Sequence, residues 1–229
     1  RRPSSRCRVR AGTEDSRSLV ESTIAALNAD ESLTRETVKP AFASLTIGSA
    51  SSAVLLVHES LSRTRNHLQA AAVRAASEHH RLCAGGLEAG GTLMQTDSER
   101  LLHAGLAAGQ ATFERFLNTS GWSRGDINKT ICHQVGSTHR RMMLESLGLS
   151  VERDYATFPW LGNTGSVALP ITLALAAESG FLGERQQVAL LGIGSGINCI
   201  MLGVDWQRVA VHASPTAPAP HFAVGRVTA

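Results

Sequence analysis

Two side chains in the second half of the sequence have the chemistry to polarise a carbonyl. His133 stands in Ile131-Cys132-His133-Gln134-Val135-Gly136, and thirty residues on Asn163 stands in Trp160-Leu161-Gly162-Asn163-Thr164-Gly165-Ser166. An imidazole and a carboxamide can each donate a hydrogen bond to a developing oxyanion. A His at the end of a strand and an Asn in a glycine-flanked turn ahead of a helix are both placed where side chains converge on a cleft. A single His is more often structural than catalytic, so residue type alone leaves both readings open. His139, Arg140 and Arg141 come close behind and read most simply as the solvated face of a helix.

Hydrophobic spacing gives the elements that must position these residues. A strand over Lys129 to His133 is succeeded by a helix from Ser137 to Leu147, stopped at Gly148. A second helix is expected from about Thr164 to Glu178, with Pro170 demanding a kink or a shifted start. Two apolar runs, Gln187 to Ile193 and Ile197 to Val204, are joined by Gly194-Ser195-Gly196 and read as a hairpin.

Upstream, Leu19, Val20, Ile24 and Leu27 recur at helical spacing and predict a helix from near Ser16 to Asn28. Ser52 to His58 is a short continuous apolar run, the signature of a strand buried on both faces, and His67 to Ala75 is a weaker strand. Glu78 to Leu93, with Gly85, Gly86, Gly90 and Gly91, reads as loop dividing the chain. A long helix is expected from Asp97 to Leu117 with Leu101, Leu102, Leu106, Phe113 and Phe116 on its apolar face, ended by Gly121.

Composition excludes several classes. With 43% hydrophobic and 18% charged residues the chain is globular rather than disordered. The net charge of +3 owes much to Arg1, Arg2, Arg6, Arg8 and Arg10 at one end, with no basic stripe elsewhere and few aromatic residues, so nucleic acid is not expected as a partner. Cys7, Cys83, Cys132 and Cys199 lack paired spacing, and no apolar run is long enough to span a membrane; a cytoplasmic protein with reduced thiols is expected. His79-His80-Arg81-Leu82-Cys83 has no second cluster at zinc spacing, so no metal site is expected. Gly192, Gly194 and Gly196 precede an expected strand rather than a helix, against a dinucleotide fingerprint.

Cys132-His133-Gln134, Leu161 to Ser166 and Gly192-Ile-Gly-Ser-Gly196, taken together and in order, resemble the C-terminal half of the β-ketoacyl-acyl-carrier-protein synthase III group of thiolase-like condensing enzymes. Thr13 to Val20 and the Leu45-Thr-Ile-Gly-Ser49 turn extend the likeness over most of residues 13–206, nearest to the branch that joins two fatty acyl-CoA chains head to head in olefin biosynthesis. The resemblance implies an α/β, thiolase-like layered αβαβα fold. It would comprise an irregular end over 1–12, a remnant of the N-terminal half over 13–95, the C-terminal half over 96–206 and a flexible tail over 207–229.

It implies an acyltransferase that forms a carbon–carbon bond between acyl thioesters by Claisen condensation, with acyl-CoA or acyl carrier protein presenting the substrate, no separate cofactor, and a homodimeric assembly. His133 and Asn163 would stabilise the enolate; the Gly194-Ser195-Gly196 turn would lend backbone N–H groups or close approach near the acyl site; Arg140 and Arg141 would meet CoA phosphates or the acidic carrier protein. The family's nucleophilic Cys stands on a helix upstream of the segment matching Thr13 to Val20. A partner-subunit Glu that takes the α-proton also lies upstream, so this chain is expected to be truncated and to lack both. Cys132 adjoins His133 on a strand, where neighbouring side chains point to opposite faces, and is not expected to substitute. Two alternatives stay open: a non-catalytic half-domain that binds acyl chains or a partner, and a decarboxylative synthase acting on malonyl-acyl carrier protein with the same His and Asn.

Overall fold

The computed structural model describes residues 7–88 and 91–208. Strand β1 (Cys7–Glu14) pairs antiparallel with β2 (Ala50–Val57), in register from Cys7 opposite Val57 to Glu14 opposite Ala50. Between them run α1 (Arg17–Ala29), the single turn α2 (Arg35–Val38) and a 3-10 segment, Lys39–Thr46. The main sheet has the order β3 (His67–Ala75), β8 (Asn198–Trp206), β7 (Gln186–Gly194), β6 (Lys129–Cys132), with β6 parallel to β7 and the other pairs antiparallel. A separate hairpin joins β4 (Cys83–Glu88) to β5 (Gly91–Thr96).

Helix α3 (Ser98–Ser120) covers one face of that sheet. Asp97 caps its N-terminus by accepting from the Arg100 N–H at 3.0 Å, and Gly121 ends it in the left-handed region at φ 72°. Its buried side is narrower than the leucine spacing predicts. Gly105, Ala108, Gly109, Thr112, Phe113, Phe116 and Leu117 are buried, whereas Leu101, Leu102 and Leu106 are only partly so. Phe113, Phe116, Trp122, Leu144, Leu191 and Met201 form the core between α3, α4 (Ser137–Ser146) and the sheet. Gly109 admits its neighbours closely: a Cβ there would lie 2.9 Å from the Met143 sulfur.

Helix α6 (Ala168–Glu178) is apolar on all sides, the pattern of a buried helix, and it touches β6 and β7 on one side and β2 on the other. The layers therefore run helix, sheet, helix, sheet from α3 and α4 through to the β1–β2 ribbon. A 3-10 turn, Gly165–Val167, precedes α6, which starts at Ala168. The start is shifted as Pro170 demands, placing the proline in the first turn, where no intrahelical N–H bond is needed.

Three expectations are corrected. Residues 7–12, read as irregular, belong to β1, because eight consecutive positions find partners on β2. The run Ser52 to His58 is a strand but is not buried on both faces: β2 has β1 as its sheet neighbour, and Leu55 is 60% exposed. Of the expected loop over Glu78 to Leu93, the described residues, 78–88 and 91–93, are helix and strand. Ser77–Leu82 is 3-10 helix, and Gly85 and Gly86 pair with Met94 and Leu93, so the glycines lie in a ladder. The Ser44 hydroxyl donates to the Met94 carbonyl at 3.2 Å and fixes that hairpin to the 3-10 segment. Of the tail expected over 207–229, Gln207 and Arg208 are tied to Asn66; residues 209–229, like 1–6 at the other end, lie outside the described residues.

Candidate active site

β6 is short, but Thr130, Ile131 and Cys132 are buried, and the ladder to β7 continues one residue further through the His133 N–H, which donates to the Leu191 carbonyl at 2.9 Å. His133 thus emerges at the C-terminal end of a parallel pair. Gln134, 2% exposed, anchors the chain on either side of this point. Its amide nitrogen donates to the Cys132 carbonyl at 2.8 Å, and its amide oxygen accepts from the Thr157 and Phe158 N–H groups at 2.9 and 3.0 Å. This side chain binds the His133 segment to the start of α5 (Phe158–Leu161), the one-turn helix that leads into Gly162 and Asn163.

Asn163 is held from the other side by the Leu45-Thr-Ile-Gly-Ser49 turn. The Asn163 N–H donates to the Thr46 carbonyl at 2.9 Å, its carbonyl accepts from the Gly48 N–H at 2.8 Å, and Ile47 bridges Asn163 in parallel. Two glycines permit this contact. A Cβ on Gly48 would fall 1.7 Å from the Leu161 carbonyl oxygen, and one on Gly162, at φ 67°, would fall 2.6 Å from that of Thr46. The Asn163 side-chain oxygen accepts from the Gly165 N–H at 3.0 Å, which leaves the amide N–H groups as the donors facing outward from this contact. Beyond it, Glu14 accepts from the Ser166 hydroxyl at 3.3 Å and joins β1 to the same turn.

Burial, and secondarily the neighbouring His139, lowers the His133 pKa to about 4, so the ring is neutral at pH 7 and carries one N–H donor. His139 is itself lowered by burial. The Cys132 thiol goes the other way: burial first and the Asp154 carboxylate next raise its pKa well above the ordinary value. It is a protonated core thiol, with no thiolate available for attack.

Arg140 is only partly exposed, and its guanidinium is engaged from the protein side. Its Nε donates to Asp154 Oδ2 at 2.5 Å and its Nη2 donates to the Val151 and Asp154 carbonyls at 2.9 and 2.6 Å. Asp154 is buried and also accepts from the Thr130 hydroxyl at 2.9 Å and the Cys132 N–H at 3.0 Å. Burial raises the Asp154 pKa, with Arg140 opposing. The expectation that Arg140 meets substrate phosphate is therefore corrected: its donors are directed at the support of β6. Arg141 is exposed. Gly194 and Ser195 are exposed at the C-terminal end of β7, the same end as His133, and Gly196 adopts φ 129°.

The structure thus places His133 and the Gly194–Gly196 turn at one end of the sheet, ties the segment leading to Asn163 to that of His133 through Gln134, and engages Arg140 with Asp154. No local sequence signal marks Gln134, Asp154 or Glu14 as parts of this site; Gln134 and Gly48 stand inside the motifs, but the α5 and Asn163 groups they hold lie 23 or more residues away. Among the described residues no group of three or more His, Cys, Asp or Glu side chains could hold a metal ion, and no helix is long and apolar enough to cross a membrane.

Residues 117–206 match the family described as 3-oxoacyl-[acyl-carrier-protein (ACP)] synthase III C terminal. An acyl-CoA:acyl-CoA alkyltransferase of Shewanella oneidensis is 39% identical, covering 84% of this chain and 57% of the relative; its counterpart in Xanthomonas campestris is 32% identical, covering 76% and 50%. A crystal structure of a Xanthomonas campestris OleA variant with bound lauric acid and lauroyl-CoA superimposes with a TM-score of 0.80 at 29% identity, over 87% of this chain and 58% of that one. The chain spans about half the length of the curated relatives it matches. With its layered α/β fold, it belongs to the thiolase-like 3-oxoacyl-[acyl-carrier-protein] synthase III group and lies near the acyl-CoA:acyl-CoA alkyltransferases within that group.

Proposed function

We propose that this chain supplies the enolate-stabilising part of an active site that condenses two acyl thioesters, with acyl-CoA as the substrate of both half-reactions. The observation that carries the reading is the donor pair. His133 is held neutral, and the Asn163 amide oxygen is already engaged by Gly165, so both side chains offer N–H groups. Donors fixed before reaction stabilise an enolate oxygen without reorganisation. In the condensation the α-carbon of one acyl-CoA loses a proton, the enolate attacks an acyl group carried on a thiol, the carbon–carbon bond forms, and that thiolate leaves.

The thiol comes from outside the 229 residues. Cys132 and Cys199 are buried and protonated, and Cys83 accepts from the Thr96 hydroxyl within the hairpin. Cys7 stands at the far end of β1 from Glu14, and seven strand residues separate it from the Asn163 turn by roughly 23 Å. On family grounds we read residues 13–95 and 96–206 as parts of two thiolase-like halves, the assembly as a homodimer and the location as cytoplasmic. The Gly194–Gly196 turn then lines the acyl site, and Arg141 is the basic residue left to meet CoA phosphate.

The test uses the full-length gene product and reads CoA release from acyl-CoA together with the β-keto product. His133→Ala and Asn163→Ala are each expected to lower kcat by about 10²- to 10³-fold while a covalent acyl adduct still forms. The 229-residue chain alone is expected to form no adduct. A stable acyl adduct on Cys7, Cys83, Cys132 or Cys199 of that chain overturns the assignment of the thiol, and turnover that is insensitive to both substitutions overturns the donor pair. Turnover that requires malonyl-acyl carrier protein instead assigns the decarboxylative reaction.

A further inference from the structure

Away from the candidate active site, a cavity of about 500 Å³ opens among Arg63, Arg65, Arg185 and Arg208, with Glu184 as its one acidic lining residue. Four arginines against one glutamate is a strong local imbalance, and among the described residues none of the four arginines has an ion-pair partner within 4 Å. Residues 209–229 contain no Asp or Glu that could neutralise it. The recess is open and the four arginines are exposed at it; a volume of this size spans roughly 10 Å, about one Debye length at 0.1 M salt, so the potentials of charges lining it add.

The backbone points the same way. Arg65 at φ 59° and Arg185 at φ 55° are the two non-glycine residues with positive φ among the described residues, and both line this cavity. Such a conformation is unfavourable for an arginine and is tolerated where the surroundings impose it. Asn66 ties two of the lining segments together. Its side-chain oxygen accepts from the Gln207 and Arg208 N–H groups at 2.8 and 3.0 Å, and its amide nitrogen donates to the Arg208 carbonyl at 3.1 Å, locking the end of β8 beside Arg65.

We propose that this cavity is a binding site for a soluble ligand bearing a phosphate or diphosphate group. Guanidinium groups match phosphate oxygens with paired donors, and several arginines lining one recess favour a multiply charged anion over a single carboxylate. No aromatic side chain lines the recess to stack on a base, so recognition centres on the phosphoryl group. The site is separate from His133. Arg185 precedes the first residue of β7 and Arg208 lies just past the last of the antiparallel β8, whereas His133 lies toward the opposite end of the sheet, roughly 23 Å along β7.

Titration calorimetry of the 229-residue protein with inorganic pyrophosphate tests this at constant ionic strength. Saturable binding is expected, weakened about tenfold or more by Arg65→Gly and by Arg185→Gly, and unchanged by Arg115→Ala, an exposed arginine on α3. Because glycine accepts φ near 60° freely, the two glycine variants are expected to keep or raise the Tm, which separates lost binding from lost folding. Absence of saturable binding overturns the site, as does binding that both glycine variants retain. Binding to phosphatidylcholine vesicles containing phosphatidylglycerol, with none to pyrophosphate, overturns the soluble ligand.

Discussion

The carbonyl of Asn163 accepts a hydrogen bond from the N–H of Gly48 at 2.8 Å, so a proposed catalytic side chain is aimed by a turn 115 residues earlier. That turn approaches as closely as it does because residue 48 has no side chain. Gly48→Ala would place a Cβ 1.7 Å from the Leu161 carbonyl oxygen, a backbone atom that cannot move aside cheaply. The expected cost is about 3 kcal/mol, at the upper end for overpacking, measured by urea denaturation. In the full-length gene product, condensation should fall more than acyl-adduct formation, since the displaced residue is Asn163.

Arg140 and Asp154 provide a second test, because the sequence reading and the structure assign Arg140 different work. Arg140→Met leaves the Asp154 carboxylate buried without its cation, at an expected cost of about 3–5 kcal/mol. Arg141→Met, at an exposed position, should change stability by less than about 0.5 kcal/mol. A KM increase for acyl-CoA with unchanged stability is expected of Arg141→Met if it meets phosphate. The same pattern in Arg140→Met would show that its guanidinium reaches the substrate after all.

Legibility depends on the range of the physics. Helix α3, β6 and the β7–β8 hairpin were readable because spacing, caps and turn residues act within a few positions. His133 and Asn163 were readable as motifs. The Arg140–Asp154 pair was not: its logic is the burial of Asp154, a property of the folded core rather than of the helix that bears Arg140. Exposure of β2 was equally hidden, because Ala53 to Val57 reads the same whether one strand neighbour or two are present. The glycines at 85 and 86 failed as loop markers because cross-strand pairing with Met94 and Leu93 overrode their local preference.

Thiol reactivity should separate the four cysteines. Cys7 is exposed and Cys83 partly so, while Cys132 and Cys199 are buried with pKa values raised chiefly by burial. In native protein at pH 8, Cys7 should react first with a disulfide reagent, and Cys132 and Cys199 only on unfolding. Mass mapping of the labelled sites checks the order. Rapid native labelling of Cys132 would contradict the closed core around Asp154.

His133 makes stability depend on pH. Its folded pKa near 4 lies below the ordinary 6.5, so between those values the unfolded chain binds more protons than the folded one. Stability therefore rises with pH across that window, is complete above 6.5 and is lost as pH falls toward 4. The slope is at most about 1.4 kcal/mol per pH unit from this group. Urea midpoints at about pH 7 and about pH 4.5 should differ by correspondingly less in His133→Asn than in the parent, because asparagine does not titrate. Removing the like charge in His139→Gln should move the His133 pKa upward without abolishing the depression, since burial is the larger cause. An NMR titration placing the His133 pKa at or above 6.5 would remove the neutral donor on which the proposed enolate stabilisation depends.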